Sequence, residues 1–302
     1  MLSAGFQILL MFALGVLFAR LKVMPENSAD VLNRVVLYLC LPAAVLLSIP
    51  RLHFEWRLLG LALTPWLIGA LAVGLVTLAR RLLRLRRDEY AVLLLCVALG
   101  NTGFIGYPVI HALLGGQAQA YAVIYDQFGT FLMLSTYGLF VCARFGGNTP
   151  PTPAVILGRI ARFPPAWSLL IGLTIMPAQP PEWLERALRS LAEAMLPLVM
   201  LAVGFSLRFQ LPRNESRALV AGLFLKLLAL PTIAWGASVF LFGLKAEMLQ
   251  VNVLETAMPP MVTAAVLAIA YDLAPRLAAA LVGYGILAAM CTLPLWTWLL
   301  RT

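Results

Sequence analysis

Long apolar runs follow one another along this chain, separated by short polar stretches. Crossing a bilayer as a helix takes about 20 apolar residues, and ten runs are read as crossings: 2–19, 31–49, 58–79, 91–114, 119–143, 164–178, 190–207, 217–242, 249–271 and 275–300. The pattern predicts an all-α polytopic membrane protein. The sixth run is short and bounded by Pro164, Pro165, Pro177, Pro180 and Pro181. Residues 182–189 (E-W-L-E-R-A-L-R) have the alternation of an amphipathic lead-in to the seventh. No polar stretch is long enough for a soluble domain with its own core. The first run lacks a basic leader and a small-residue cleavage site, and Arg20 and Lys22 follow it. It is read as a retained span, not a signal peptide.

The fourth run is interrupted at its middle by G-N-T-G-F-I-G-Y-P, residues 100–108. Glycine and proline weaken a helix, and proline also leaves a carbonyl without its amide partner. Groups freed in this way cannot face hydrocarbon and must be buried in protein or line a wet cavity. A membrane helix broken at mid-depth, with an amide and a hydroxyl beside the break, therefore reads as a solute site. The alternative is a proline kink packed through its glycines.

The break has a counterpart. Leu41-Pro42 in the second run recurs as Leu196-Pro197 in the seventh, L-A-L-T-P (61–65) in the third as L-A-L-P (228–231) in the eighth, and the broken fourth run as a ninth carrying E-T-A-M-P-P at 255–260. These matches predict two five-helix repeats, 1–145 and 164–302, joined by a cytoplasmic linker at 146–163. An odd number of crossings per half turns the second half upside down, the inverted-repeat arrangement of secondary transporters.

Charge and composition narrow the picture. The chain has 302 residues, is 62% hydrophobic and 12% charged, and carries a formal charge of +9. The basic residues sit in short loops beside apolar runs, a topology signal and not a nucleic-acid surface. Of the 22 Lys and Arg, fourteen lie in the odd-numbered loops, six in the even-numbered loops and the C-terminal end, and Arg34 and Lys226 lie within runs. The excess, led by R-R-L-L-R-L-R-R at 80–87, places odd loops in the cytoplasm and both termini outside. Cys40, Cys96, Cys142 and Cys291 are scattered singly and form no C-x-x-C pair, so no metal site or disulfide framework is expected. His53 and His111 are far apart, and His111 reads as an interface histidine.

Three charged residues lie deep within runs: Asp126 in the fifth, Lys226 in the eighth and Glu255 in the ninth. A charge near the bilayer centre costs about 3 kcal/mol even on the lenient insertion scale, so these groups are expected to face the interior. Glu255, beside the ninth-run break, is the first candidate to couple a proton or cation to transport, and Asp126 the second. Lys226 is a candidate counter-charge for an anionic substrate, or the structural partner of either acid.

The segments G-N-T-G-F-I-G-Y-P at 100–108, A-M-P-P at 257–260 and the Leu-Pro helices at 42 and 197 resemble the auxin efflux carrier family of membrane transporters, in its bacterial, malonate- or malate-permease-like branch. The likeness spans essentially the whole chain. It implies broken fourth and ninth helices that cross at mid-membrane and bind an organic anion there, a carboxylate, a dicarboxylate or an auxin-like acid. Transport would follow an elevator or rocking alternating-access mechanism. Carried onto this sequence, the resemblance implies substrate contacts from Asn101, Thr102, Gly103 and Pro108 at the first break and from Thr256, Pro259 and Pro260 at the second. Glu255 departs from the usual pattern. E-T-A-M is also similar to the sodium-site helix of bile acid symporters, but Pro259 stands where those proteins carry an amide. The family implies residence in the bacterial inner membrane and leaves a homodimer open.

Other function classes fit less well. An intramembrane enzyme needs a nucleophile–base pair or a metal set at depth, and the histidines and acids show neither. No G-x-x-x-x-G-K-S/T motif supports ATP-driven pumping. A non-transport sensor and a sodium-coupled symporter stand as alternatives. No cofactor is expected beyond a coupling ion, H+ or Na+, and the partners are the organic anion and membrane lipid, not nucleic acid.

Overall fold

The computed structural model describes residues 2–25, 27–52, 55–146, 152–206 and 215–300. These residues form helices joined by short turns, with one isolated antiparallel bridge between Gly100 and Pro260. Among the described residues, six helices are long and apolar enough to cross a membrane: Ser28–Arg51, Leu58–Leu83, Gly116–Gly146, Glu182–Phe205, Ser216–Phe240 and Pro275–Leu299. The first helix covers Leu2–Leu21, and the sixth run folds as a short helix, Pro164–Thr174. The lead-in at 182–189 belongs to the helix Glu182–Glu193. Residues 147–151 of the expected linker lie outside the described residues, and Pro153–Ala161 is helical.

The helices pack as two units, and neither coincides with a half of the sequence. One comprises Met1–Phe54, Gly103–Val123 and Ala161–Leu207; the other comprises Glu55–Thr102, Ile124–Ile160 and Arg208–Thr302. In the first unit, Leu2–Leu21 lies against Met195–Ser206. The approach is close because glycines face each other: a Cβ on Gly15 would stand 2.3 Å from the Leu201 carbonyl oxygen, and one on Gly204 2.3 Å from that of Phe12. Small residues at such crossings let backbones meet where lipid gives no hydrophobic drive.

The second unit is built round the helix Arg87–Ala98, buried continuously from Glu89 to Ala98. Leu93, Leu95 and Leu99 pack with Leu277 and Leu281 of Pro275–Leu299 in one core. A helix that is apolar on every face belongs inside a bundle. Its start is fixed by the arginine run: Arg84 ends the preceding helix in a left-handed conformation, and the Arg86 amide donates to Glu89 Oε2 at 2.8 Å. The Arg86 side chain pairs with Glu215 at 2.8 Å.

Proline sets a recurrent local feature. Widened π turns at Val36–Cys40, Thr102–Gly106 and Leu225–Ala229 each end two residues before a proline: Pro42, Pro108 and Pro231. Proline offers no amide to the carbonyl four residues back and its ring crowds that carbonyl. The ladder shifts by one residue, as where the Leu41 amide bonds to Val36 and the Leu230 amide to Leu225. One freed carbonyl finds a side chain: Leu227, four residues before Pro231, accepts from the Trp296 indole at 2.9 Å.

Candidate functional site

The helix Arg87–Ala98 ends at Leu99, which is extended, and the helix Ala246–Thr256 gives way to an irregular stretch closed by extended Met261. The two unwound stretches run antiparallel and bond to each other. The Asn101 backbone amide donates to the Pro259 carbonyl at 2.8 Å, and the Met261 backbone amide to that of Leu99 at 3.0 Å. Gly100 and Pro260 face each other between these bonds, at a position that asks no amide of the proline. Each break thus supplies the backbone partners the other lacks, which is how unwound chain can persist inside a membrane protein.

Glycines admit the bulk that gathers here. A Cβ on Gly285 would lie 2.6 Å from Pro260 Cδ, and one on Gly100 2.9 Å from Lys226 Nζ. Lys226 is 2% exposed, and its ammonium donates to the Thr256 carbonyl at 3.1 Å. The Thr256 hydroxyl donates to the Asn252 carbonyl at 2.8 Å, so the Tyr125 hydroxyl, 3.0 Å away, is the donor between the two. The Asn252 amide donates to Thr64 and Ser238 at 3.1 and 2.7 Å. The Thr102 hydroxyl donates to Asp126 Oδ1, and the Gln127 amide to Oδ2 at 3.0 Å.

Two buried side chains stand apart from this network. Both side-chain amide atoms of Asn101 and both carboxylate oxygens of Glu255 lack a hydrogen-bond partner among the described residues, though the residues are 1% and 0% exposed. The Glu255 carboxylate feels the charges of Asp126 and Lys226. Buried polar groups are nearly always bonded, so an amide and a carboxylate without partners beside two helix breaks offer a solute donors and acceptors.

The structure gathers Asn101, Thr102, Asp126, Lys226, Glu255, Thr256, Pro259 and Pro260 in the second unit. Gly103 and Pro108 belong to the first: Gly103 lies in the π turn and Pro108 within the helix that follows, so the helix is interrupted at 99–101, before the proline. Pro108 and His111 line a cavity of about 700 Å³ in the first unit with Arg51, Gln119, Arg189 and Glu193. Arg51 and Arg189 already pair with Glu185, at 2.9 and 2.7 Å. His53 lies outside the described residues. Among the described residues no cluster of three His, Cys, Asp or Glu could hold a metal ion, and the four cysteines are free. Sequence reasoning passed over Tyr125, Asn252, Thr64 and Ser238. The signal for Asn252 was an amide one helical turn before Thr256 in an apolar run.

Paired breaks at mid-helix point to a transporter, and comparison with known proteins decides the matter. A family model described as membrane transport protein matches residues 1–297. The chain belongs to this auxin efflux carrier-like membrane transport family. An uncharacterized transporter of Methanothermobacter thermautotrophicus is 31% identical over 96% of this chain and 95% of its own length. Uncharacterized transporter MJ1031 of Methanocaldococcus jannaschii is 27% identical over 92% of each chain. Uncharacterized transporter YfdV of Escherichia coli is 24% identical over 97% of this chain and 96% of its own. Family membership and six long apolar helices make the chain a multi-pass membrane protein. Its family is one of transporters, not of enzymes.

Proposed function

We propose that this chain is a secondary carrier for a small organic anion, a carboxylate or dicarboxylate, that binds where the two helix breaks cross. One observation carries the reading: the breaks satisfy each other's backbone while leaving the Asn101 side-chain amide and the Glu255 carboxylate buried without partners among the described residues. The amide can donate to and accept from a solute; Thr102 stands next to it in the chain, Pro259 and Pro260 stand across the bridge, and Thr256 ends the helix before the second break. Lys226 supplies positive charge. Glu255 is the group that gains and loses a proton or cation between access states, with Asp126 as its neighbour in charge. The chain crosses a bacterial inner membrane ten times, as two inverted five-helix repeats with both termini outside, and works by alternating access.

The test is a thermal-shift screen of purified protein against mono- and dicarboxylates, because a ligand that binds the folded state stabilises it by mass action. A carboxylate should raise the melting temperature of the wild type and be exchanged across proteoliposomes. In Asn101→Ala, the shift and the exchange should be lost while expression persists. Exchange at the wild-type rate by a well-expressed Asn101→Ala protein removes the crossing from the transport site.

A further inference from the structure

Lys226 is carried to the crossing by the π turn Leu225–Ala229. Its ammonium donates to the Thr256 carbonyl, at the C-terminal end of the helix Ala246–Thr256. The last carbonyls of a helix lack intrahelical partners and carry partial negative charge. In transporters with broken helices, such ends and the unwound carbonyls beside them are where a coupling cation is held. The same ammonium lies against the first break, 2.9 Å from where a Cβ on Gly100 would stand. That Cβ point is also 3.5 Å from the Glu255 carbonyl oxygen. The Glu255 carboxylate is fully buried, has no hydrogen-bond partner, and lies within electrostatic reach of Lys226. One tethered positive charge thus stands among a helix carbonyl end, unwound backbone and a buried carboxylate, the surroundings a monovalent cation would need.

We infer that the Lys226 ammonium is a built-in cation that takes the place of a free alkali-metal ion at the crossing, so that this transporter works without sodium. The inference rests on the crossing being the transport site, but cation binding can be read without any substrate. The first measurement is the melting temperature of the purified full chain in sodium, potassium and choline chloride at equal ionic strength. The wild type should melt at one temperature in all three. Lys226→Ala should melt several degrees lower in choline and regain stability saturably with sodium, potassium or methylammonium, the last replacing the lost ammonium. Where Lys226→Ala does not survive purification, the double variant Lys226→Ala/Glu255→Gln, which removes both charges, should survive and be indifferent to the cation.

Saturable stabilisation of the wild type by sodium would overturn the inference. So would a Lys226→Ala protein that is as stable as wild type in choline, or that no cation restores, and so would a double variant no better tolerated than the single one. In proteoliposomes, wild-type exchange should be unchanged when choline replaces sodium. If no carboxylate is bound or exchanged, the proposed function fails while the cation titration still decides the role of Lys226. If exchange holds and requires sodium, the built-in cation alone is wrong.

Discussion

Gly285 and Gly236 separate space from backbone freedom at the level of single residues. Both lie in helices, but a Cβ on Gly285 would meet Pro260 Cδ at 2.6 Å, whereas one on Gly236 meets nothing within 4 Å. Overpacking a tight contact costs about 1–3 kcal/mol, while alanine in place of a helical glycine gains about 0.5–1 kcal/mol. Gly285→Ala should therefore lower the melting temperature and slow exchange by pushing Pro260 and with it the bridge to Gly100. Gly236→Ala should melt at or above wild type with exchange unchanged. Equal melting temperatures for the two variants would mean that the Pro260 ring yields freely and that the crossing is looser than its geometry indicates.

At the scale of a helix, the π turns show how proline is accommodated without breaking the rod. Pro231 has no N–H for the Leu227 carbonyl, and the Trp296 indole supplies one from the neighbouring helix. Leaving a buried acceptor unpaired costs about 1–3 kcal/mol, so Trp296→Phe should destabilise by that amount. Pro231→Ala restores a backbone amide that can reach Leu227, and in that background Trp296→Phe should cost clearly less. A thermodynamic cycle over the four proteins, by chemical or thermal unfolding, measures the difference. Strict additivity would show that the indole stabilises by packing, through its edge contact with Trp235 at 6.4 Å, and not by satisfying the freed carbonyl.

For the molecule as a whole, the question is what drives uphill transport. Glu255 lies one residue before the helix end at Thr256 and four before Pro259. If it is the coupling group, Glu255→Gln fixes it neutral while keeping its shape and much of its hydrogen-bonding capacity. Exchange of substrate for substrate should survive in this variant, whereas accumulation driven by an imposed proton gradient should fail. Uphill transport at the wild-type level by Glu255→Gln would move the coupling role to Asp126. A purely structural role would appear instead as poor expression, with gradient dependence unchanged in the protein that remains.

Hydropathy alone determined that this is a helical membrane protein, because about 20 apolar residues in succession have no stable place but a bilayer or a large core. The segments 100–108 and 255–260 were legible as candidate interruptions for a related reason: proline and glycine weaken a helix, and the groups they free must be buried in protein or line a wet cavity. Asn101, Lys226, Glu255 and Asp126 were legible because polar groups are costly at depth and stand out against leucine. The sequence did not carry the point of interruption. Pro108 marks a π turn that continues the helix, while the chain unwinds at 99–101, where Pro259 and Met261 offer bonds from more than 150 residues away. Nor did it carry the partners of Thr256 or the position of Lys226 between Gly100 and Thr256. Those depend on which helices lie side by side. In a chain that is apolar nearly throughout, close packing of small and large side chains selects the neighbours, and hydropathy does not.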